Sequence, residues 1–360
     1  MVENENKKNV QRGRGAVGNQ TGRFDHLQIE PPPLDLQDTD QWFHDDSKIK
    51  TIFYRDSSRS IVNENDSPDI GFRYSMNFYR GCEHGCAYCY ARPTHEYLGM
   101  SAGLDFESKI FVKENAPDLL REKLMSKNWQ PECIMVSGVT DCYQPAEARF
   151  RLTRQCLEVL EEFRQPAGLI TKNHLVARDI DVLKRLAEYE LVVVYISVTT
   201  LDTELARVLE PRTSTPEARL RAIRSLSEAG IPVGVNVAPV IPGLTDHEMP
   251  SILKAAAEAG AWSAGYVPLR LPYSVSSIFT EWLEQNRPLA KERVLHLIRD
   301  MRGGKINDSN FGSRMRGQGE QADNLRQMFH LFCKKYGLNQ KTYQLRTDLF
   351  QRPGDQLSLL

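Results

Sequence analysis

"MNFYRGCEHGCAYCYAR" (residues 76–92) places three of the chain's seven cysteines within eight positions. The spacing is Cys82-x3-Cys86-x2-Cys89, with Tyr88 directly before the last thiol. Cysteines that only fill a core need no such crowding among Gly, Glu and His, whereas three thiolates on one short loop can meet a soft metal centre. A structural zinc site takes four protein ligands, usually two Cys pairs or a Cys pair with a His pair. No second Cys-x-x-Cys follows, and His84 is the residue that would have to complete a zinc set. Cys133, Cys142, Cys156 and Cys333 are scattered singly, so a cluster that only carries electrons would lack its usual fourth thiolate. A cubane held by three cysteines leaves one iron open to bind and activate another molecule.

Composition sets the frame around this loop. At 360 residues, 41% hydrophobic and 9% aromatic, the chain has material for one large α/β domain or two ordinary ones with a sizeable core. A formal net charge of -1 exerts no global pull toward nucleic acid or an anionic membrane. No run of about 18 apolar residues is present to span a bilayer, and residues 1–20 are polar where a signal peptide is apolar. The expectation is a cytoplasmic protein with no membrane partner. An odd number of cysteines in such a chain favours ligands, nucleophiles or core thiols over a disulfide framework.

The chain then divides into an arm, a patterned middle and a less regular end. Residues 1–45, with "RGRGAVGNQTGRF" and "EPPPLDLQD", show no apolar period and read as a flexible or surface-draped arm. From residue 74, short β-rich runs alternate with amphipathic stretches. The expected strands are 74–79, 133–139, 168–171, 191–198, 232–240 and 262–269. Helices are expected in "APDLLREKLMSKN", "LTRQCLEVLEEFRQ", "RDIDVLKRLAEY" and "TPEARLRAIRSLSEAG". The last has Thr215 as cap, Pro216 at the first position, Leu220, Ile223 and Leu226 on one face, and Gly230 to close it. Near-continuous apolar strands indicate a parallel sheet covered on both faces, either an incomplete barrel or an open doubly wound sheet. Either way the working groups belong at the carboxyl ends of the strands. Beyond residue 280, helices in "LAKERVLHLIRDM" and "ADNLRQMFHLFCKKYGL" flank a Gly-rich stretch, and a ragged tail follows. From Lys291 to Arg352 there are 13 Lys plus Arg against 6 Asp plus Glu. This local surplus of 7 suits a phosphate-bearing substrate or offsets acidic faces elsewhere.

The Cys-x3-Cys-x-aromatic-Cys loop after a first strand resembles the cluster loop of the radical S-adenosylmethionine (radical SAM) superfamily. "YRGCEHGCAYCYAR", "SGVTDCYQPAE", "LITKNHLVARDIDVL", "YISVTTLD", "LEPRTSTPEARLRAI" and "VNVAPVIPGLTD" are similar to its group related to spore photoproduct lyase, over roughly residues 70–270. The resemblance implies an α/β fold with a partial (β/α)6 barrel. The chain is then read as a flexible arm (1–45), a radical SAM core (46–275) and a basic, mainly helical extension (276–360).

Position by position, the resemblance implies that Cys82, Cys86 and Cys89 ligate a 4Fe-4S cluster whose fourth iron chelates S-adenosylmethionine. Reductive cleavage would then give a 5'-deoxyadenosyl radical that abstracts hydrogen from a substrate. Tyr88 would lie near the adenine. "SGVTD" occupies the place of the amino-group-binding segment, without its common Gly-Gly-Glu form; Thr140 and Asp141 are its polar groups, and Gly138 allows close backbone approach. Lys172 and Ser197 match residues for the cofactor carboxylate, and Asn236 and Ala238 match the segment bordering the adenosine. Each has a plainer reading as a surface lysine, a strand serine or a helix-capping aspartate, and Glu147 as an ordinary acidic first turn. Cys142 is either a hydrogen donor to a product radical or a small core residue. Tyr79, Tyr90 and Tyr143 are open to relay or stacking roles. The expected partners are a reduced flavodoxin- or ferredoxin-type electron donor and an unidentified substrate, with nucleic acid or a nucleotide foremost. The competing reading is a non-catalytic iron-sulfur or zinc protein built on the same loop.

Overall fold

The structure, a computed structural model, describes residues 13–24 and 49–354. Among them are ten strands: β1 Ile52–Arg55, β2 Val62–Glu64, β3 Tyr74–Met76, β4 Tyr79–Arg80, β5 Lys109–Val112, β6 Ile134–Val136, β7 Ala167–Thr171, β8 Val192–Ser197, β9 Val233–Val240 and β10 Ser263–Pro268. The main sheet runs β10-β9-β8-β7-β6-β3-β2. Its six strands from β3 to β10 are parallel, and β2 is an antiparallel edge on β3. These six neighbour one another in sequence order, with no reversal of the kind that creates the switch point of a doubly wound sheet. That order leaves the helices on one face and the sheet curled around the other, the partial barrel that the resemblance implied.

The alternation along β8 shows the two faces. Val192, Val194 and Ile196 are fully buried in the main core with Val233, Val235 and Val237 of β9. Val193, Tyr195 and Ser197 fall on the concave face, where the Tyr195 ring crosses Gly234, the only residue type that leaves it room. The covering helices follow their sequence signals. Pro216–Glu228 starts at Thr215, whose hydroxyl accepts from the Ala218 amide at 3.3 Å, and Gly230 beyond it has φ +78°. Ile223 and Leu226 are wholly buried and Leu220 is partly so.

Three features go beyond the sequence reading. A second sheet, β1-β5-β4, went unseen because its strands have two to four residues each. The arm is anchored where it is described: Gly15 and Ala16 are buried against Glu107, and the other residues of 13–24 lie partly or fully exposed, Gln20 bonding Glu281 and Ser101, polar contacts that no apolar period announces. The rest of the arm, residues 1–12 and 25–45, lies outside the described residues. The tail also packs, with the Arg346 amide donating to Glu190 O at 3.0 Å and the Gln351 amide to Phe163 O at 3.0 Å. Among the described residues no helix is long and apolar enough to cross a membrane.

Candidate active site

The cysteine loop leaves β4 and spans the carboxyl edge of the barrel. Gly81 and Gly85 adopt φ +80° and +64°, which lets the chain turn twice within five residues. Successive tight turns follow: the Gly85 amide donates to Cys82 O, the Cys89 amide to Cys86 O and the Arg92 amide to Cys89 O, at 3.2–3.3 Å. The loop is pinned from outside as well. The Cys82 amide reaches Phe106 O at 2.9 Å, the Ala87 amide Leu209 O at 3.0 Å, and Gln144 holds both Gly81 and Glu83. Cys86, Ala87 and Tyr88 share a core with the helices Val275–Asn286 and Pro288–Asp300, so the C-terminal region buttresses the loop directly.

All seven cysteines are free thiols. Burial pushes the Cys82, Cys86 and Cys89 thiols up. Against it, the Asp141 amide faces the Cys82 sulfur, and the Ala91 and Arg92 amides face the Cys89 sulfur and favour its thiolate. Thiols largely withdrawn from water, with amides aimed at two of them, suit thiolates neutralised by iron. Among the described residues no three His, Cys, Asp or Glu side chains are placed to hold one metal ion. A cubane takes each thiolate on a different iron, so its three sulfurs need not meet at a point. The donor set therefore fits an iron-sulfur cluster.

Behind Tyr88 lies a charge network that sequence reasoning missed. Glu210 is 2% exposed. Its carboxylate accepts from Arg219 at 2.5 Å and Thr199 at 2.8 Å, lies 3.2 Å from the Lys172 ammonium, and accepts the Tyr88 hydroxyl. Burial alone would raise its pKa, yet Arg219 and Lys172 hold it far below the usual carboxylate range. Arg219 also donates to Ser197 O at 3.0 Å, which ties the end of β8 into the same network. The signal was in "LEPRTSTPEARLRAI": Arg219 adjoins the apolar face of its helix yet is itself buried.

The predicted residues divide into several environments. Lys172, at the end of β7, spends its three donors on Glu210, Thr199 (3.2 Å) and Ala238 O (2.8 Å), with its side chain 16% exposed. Ser197, Asn236 and Gly265 are register partners across β8, β9 and β10, and the Asn236 amide lies over Gly265, where a Cβ would sit 2.8 Å from its oxygen. These groups gather at the strand ends with Ala238. Thr140 instead donates to Tyr79 O at 2.8 Å. Asp141 accepts from Thr171 (2.7 Å), the Lys172 amide (2.8 Å) and the Tyr143 amide (2.9 Å), and faces His84 at 3.4 Å. Burial works against its charge, but His84, Thr171 and the Lys172 amide pull it below the usual range. Gly138, with Ser75 3.1 Å from where its Cβ would be, gives its carbonyl to the Tyr90 hydroxyl at 2.7 Å. Glu147 is no solvated first-turn charge: it is fully buried, bonded by Tyr79 at 2.6 Å and Arg178 at 2.8 Å. Tyr143 is likewise buried, on Asp179, and Tyr90 stands half exposed at the barrel mouth. Cys142 is 2% exposed within the main core, its sulfur 4.0 Å from Ile170 O.

The Radical SAM superfamily model matches residues 76–256, half of the chain, a span that includes the three loop cysteines, Lys172, Ser197, Asn236 and Ala238. The chain belongs to the radical SAM superfamily. An uncharacterized protein of Mycobacterium tuberculosis is 38% identical over 232 residues, which cover 64% of this chain and 68% of that one. Another from Methanocaldococcus jannaschii is 31% identical over 248 residues, 69% of this chain and 88% of that one. Among solved structures, a spore photoproduct lyase mutant with bound S-adenosylmethionine and dinucleoside spore photoproduct superposes at a TM-score of 0.58 with 16% identity, covering 79% of this chain and 80% of that one. A cysteine-to-serine mutant of that lyase gives 0.57 at 18% identity over the same shares. At such identities the likeness is one of fold. Membership implies S-adenosylmethionine-dependent radical chemistry, a 4Fe-4S cluster, an electron donor and a substrate for this radical SAM protein.

Proposed function

We propose that this radical SAM protein is an enzyme acting on a phosphate-bearing substrate of the nucleotide or nucleic-acid class. Cys82, Cys86 and Cys89 hold its 4Fe-4S cluster, and a reduced flavodoxin- or ferredoxin-type protein supplies the electron. When bound, the cluster and S-adenosylmethionine supply a 5'-deoxyadenosyl radical that takes a hydrogen atom from the substrate. The carrying observation is the set of three free thiols, Cys82 and Cys86 buried and Cys89 partly exposed, on a pinned loop at the carboxyl edge of the barrel, with Lys172, Ser197, Asn236 and Ala238 gathered at the neighbouring strand ends. Lys172 and Ser197 take the cofactor carboxylate; Asn236 and Ala238 border the adenosine, with Tyr88 beside it. Thr140 and Asp141 act one step removed, holding the 137–141 loop and the His84 ring through bonds they already make.

The substrate class rests on Arg270, two residues beyond the end of β10. Its guanidinium is half buried, has no carboxylate bonded to it among the described residues, rests one nitrogen on the Met315 sulfur at 3.1 Å, and leaves its buried Nε unpartnered. Arg314 lies close enough to add to its positive field, with Asp69 as the local counter-charge, and the 60%-exposed Phe311 ring stacks on Arg314. An unpaired guanidinium beside exposed rings, Tyr90 included, suits a phosphate and a base.

Anaerobic reconstitution followed by dithionite and S-adenosylmethionine tests the reaction class. Formation of 5'-deoxyadenosine is expected, and no yield above a cluster-free control overturns it. Oligonucleotides, nucleotides and peptides added in turn test the substrate. A nucleic-acid or nucleotide probe should raise the yield, with Arg270→Ala weakening that stimulation about tenfold, the worth of one charge-assisted bond. Stimulation by peptides alone would move the substrate to another class.

A further inference from the structure

The cysteine loop rests on a buried ion pair whose other side is closed by the N-terminal arm. Arg92 is fully buried and donates to Cys86 O (2.8 and 3.0 Å), Gly85 O (3.2 Å), Ala102 O (3.0 Å), Gly103 O (3.1 Å) and the Glu107 carboxylate (2.5 Å). One guanidinium thereby fixes the peptide groups between the first and last ligating cysteines. Glu107 is fully buried too, and among the described residues its carboxylate's other bonds come from the arm: the Gly15 amide at 3.1 Å and the Ala16 amide at 2.8 Å. Arg14 extends the clamp to Glu107 O (2.5 Å), Ile49 O (2.8 Å) and Thr51 Oγ1 (3.2 Å), and the Thr51 hydroxyl donates to Glu83 inside the cysteine loop at 2.7 Å. Gly15 lies flat on the Gly85 peptide. A Cβ on Gly15 would overlap the Gly85 carbonyl oxygen, and one on Gly85 would sit 2.7 Å from the Glu107 carboxylate.

We propose that residues 14–16 are a built-in part of the cluster site, with Arg14 and Gly15 as positioning residues that fix the Cys86–Cys89 turn through Glu107 and Arg92. The physical reason is satisfaction of a dry carboxylate. Withdrawing two amide donors leaves a half-satisfied buried network, and such a network relaxes by moving its mobile members, here the Gly85 and Cys86 peptides. The glycine at position 15 is required by contact, since no side chain fits between the two backbones. The inference rests on the cluster reading above for its ligand, and on the contacts alone for its geometry.

The test uses the full chain carrying Gly15→Ala, with Arg14→Ala as a variant that adds no bulk and Gly18→Ala as control, because a Cβ at Gly18 meets nothing within 4 Å. Readouts are the rate at which a chelator strips iron from the reconstituted protein, the electron paramagnetic resonance spectrum of the reduced cluster, and hydrogen exchange of residues 82–92 in metal-free protein. Gly15→Ala should lose iron about tenfold faster, shift or broaden the spectrum, and speed loop exchange about tenfold while β7–β9 keep parental protection. Arg14→Ala should follow in the same direction and Gly18→Ala should match the parent. Parental release, spectrum and loop exchange in both Gly15→Ala and Arg14→Ala overturn the proposal; if Gly15→Ala does not fold, Arg14→Ala decides. A parent that takes up no iron and sulfide sinks the cluster reading alone, and loop exchange in the metal-free variants still decides the strap.

Discussion

Two buried carboxylates flank the cysteine loop, and they are neutralised in different ways. Among the described residues the Glu107 carboxylate is enclosed by Arg92 and two arm amides, each partner dry or main chain. Glu210 pairs with the buried Arg219 on one side but on the other with Lys172, whose partly exposed ammonium stands at the strand ends beside Ala238. A closed network can only hold its neighbours in place. A network with one exchangeable cation can also admit a carboxylate from outside, at the cost of rearranging bonds already made. The contrast suits the Glu107 side to fixing the loop and the Glu210 side to the cofactor contact proposed above.

The strongest way to break the comparison is Arg92→Ala. It takes the cation from Glu107 and a donor from four carbonyls, of which Cys86 O keeps the Cys89 amide, and removal of one partner of a buried pair costs about 3–5 kcal/mol. Urea denaturation should show that loss or an unfolded chain. A loss below about 1 kcal/mol would mean that the arm amides alone suffice for Glu107, and the closed network would lose its centre.

Acid separates the two sides next. His95, fully buried among Phe106 and Phe111 near the Glu107 network, has both ring nitrogens unpartnered, and burial lowers its pKa from 6.5 to about 4. Asp105 and the Lys109 main chain oppose the shift, while the Lys109 ammonium and Arg80 add to it. The unfolded chain binds this proton first, so the stability is complete above pH 6.5 and is lost as pH falls toward 4, a loss of about 3 kcal/mol. Glu210, with its pKa depressed, keeps its contribution until pH falls below the ordinary glutamate value of 4.5. Stability measured between pH 6.5 and 4.5 should therefore slope downward with acid in the parent and flatten in His95→Leu, while Glu210→Gln leaves that slope unchanged. An unaltered slope in His95→Leu would remove His95 from the account.

How much of this was legible follows from what each part is made of. The six parallel strands stood out because Val and Ile fill both faces of runs such as residues 191–198, and the helix from Pro216 was readable from Thr215 and Gly230 at its ends. The ligand loop was readable because three cysteines at fixed spacing form a local signal. The support beneath it was not. Arg92 sits inside the quoted stretch, yet its partner is fifteen positions away, and Gly15 meets Glu107 across 92 positions. Glu210 likewise joins Tyr88 across 122 positions. Buried polar pairs have no period, and a glycine chosen for contact looks like a glycine in a flexible arm. Lys172 and Asp141 were found from the resemblance, but their present bonds to Glu210, Ala238, Thr171 and His84 needed the fold.

The smallest expected change in stability is also the one that sharpens the comparison most. Lys172→Met removes the exchangeable cation and leaves Arg219 on Glu210, so the buried carboxylate keeps a dry partner at 2.5 Å. Because the lysine side chain is 16% exposed, its pairing is partly screened by water, and the loss of stability should be about 1 kcal/mol or less. S-adenosylmethionine binding, measured anaerobically by equilibrium dialysis, should weaken about tenfold or more, since a charge-assisted bond to its carboxylate is lost. A large drop in stability with unchanged affinity would reverse the assignment. Lys172 would then be a structural cation like Arg92, and both networks flanking the loop would be closed.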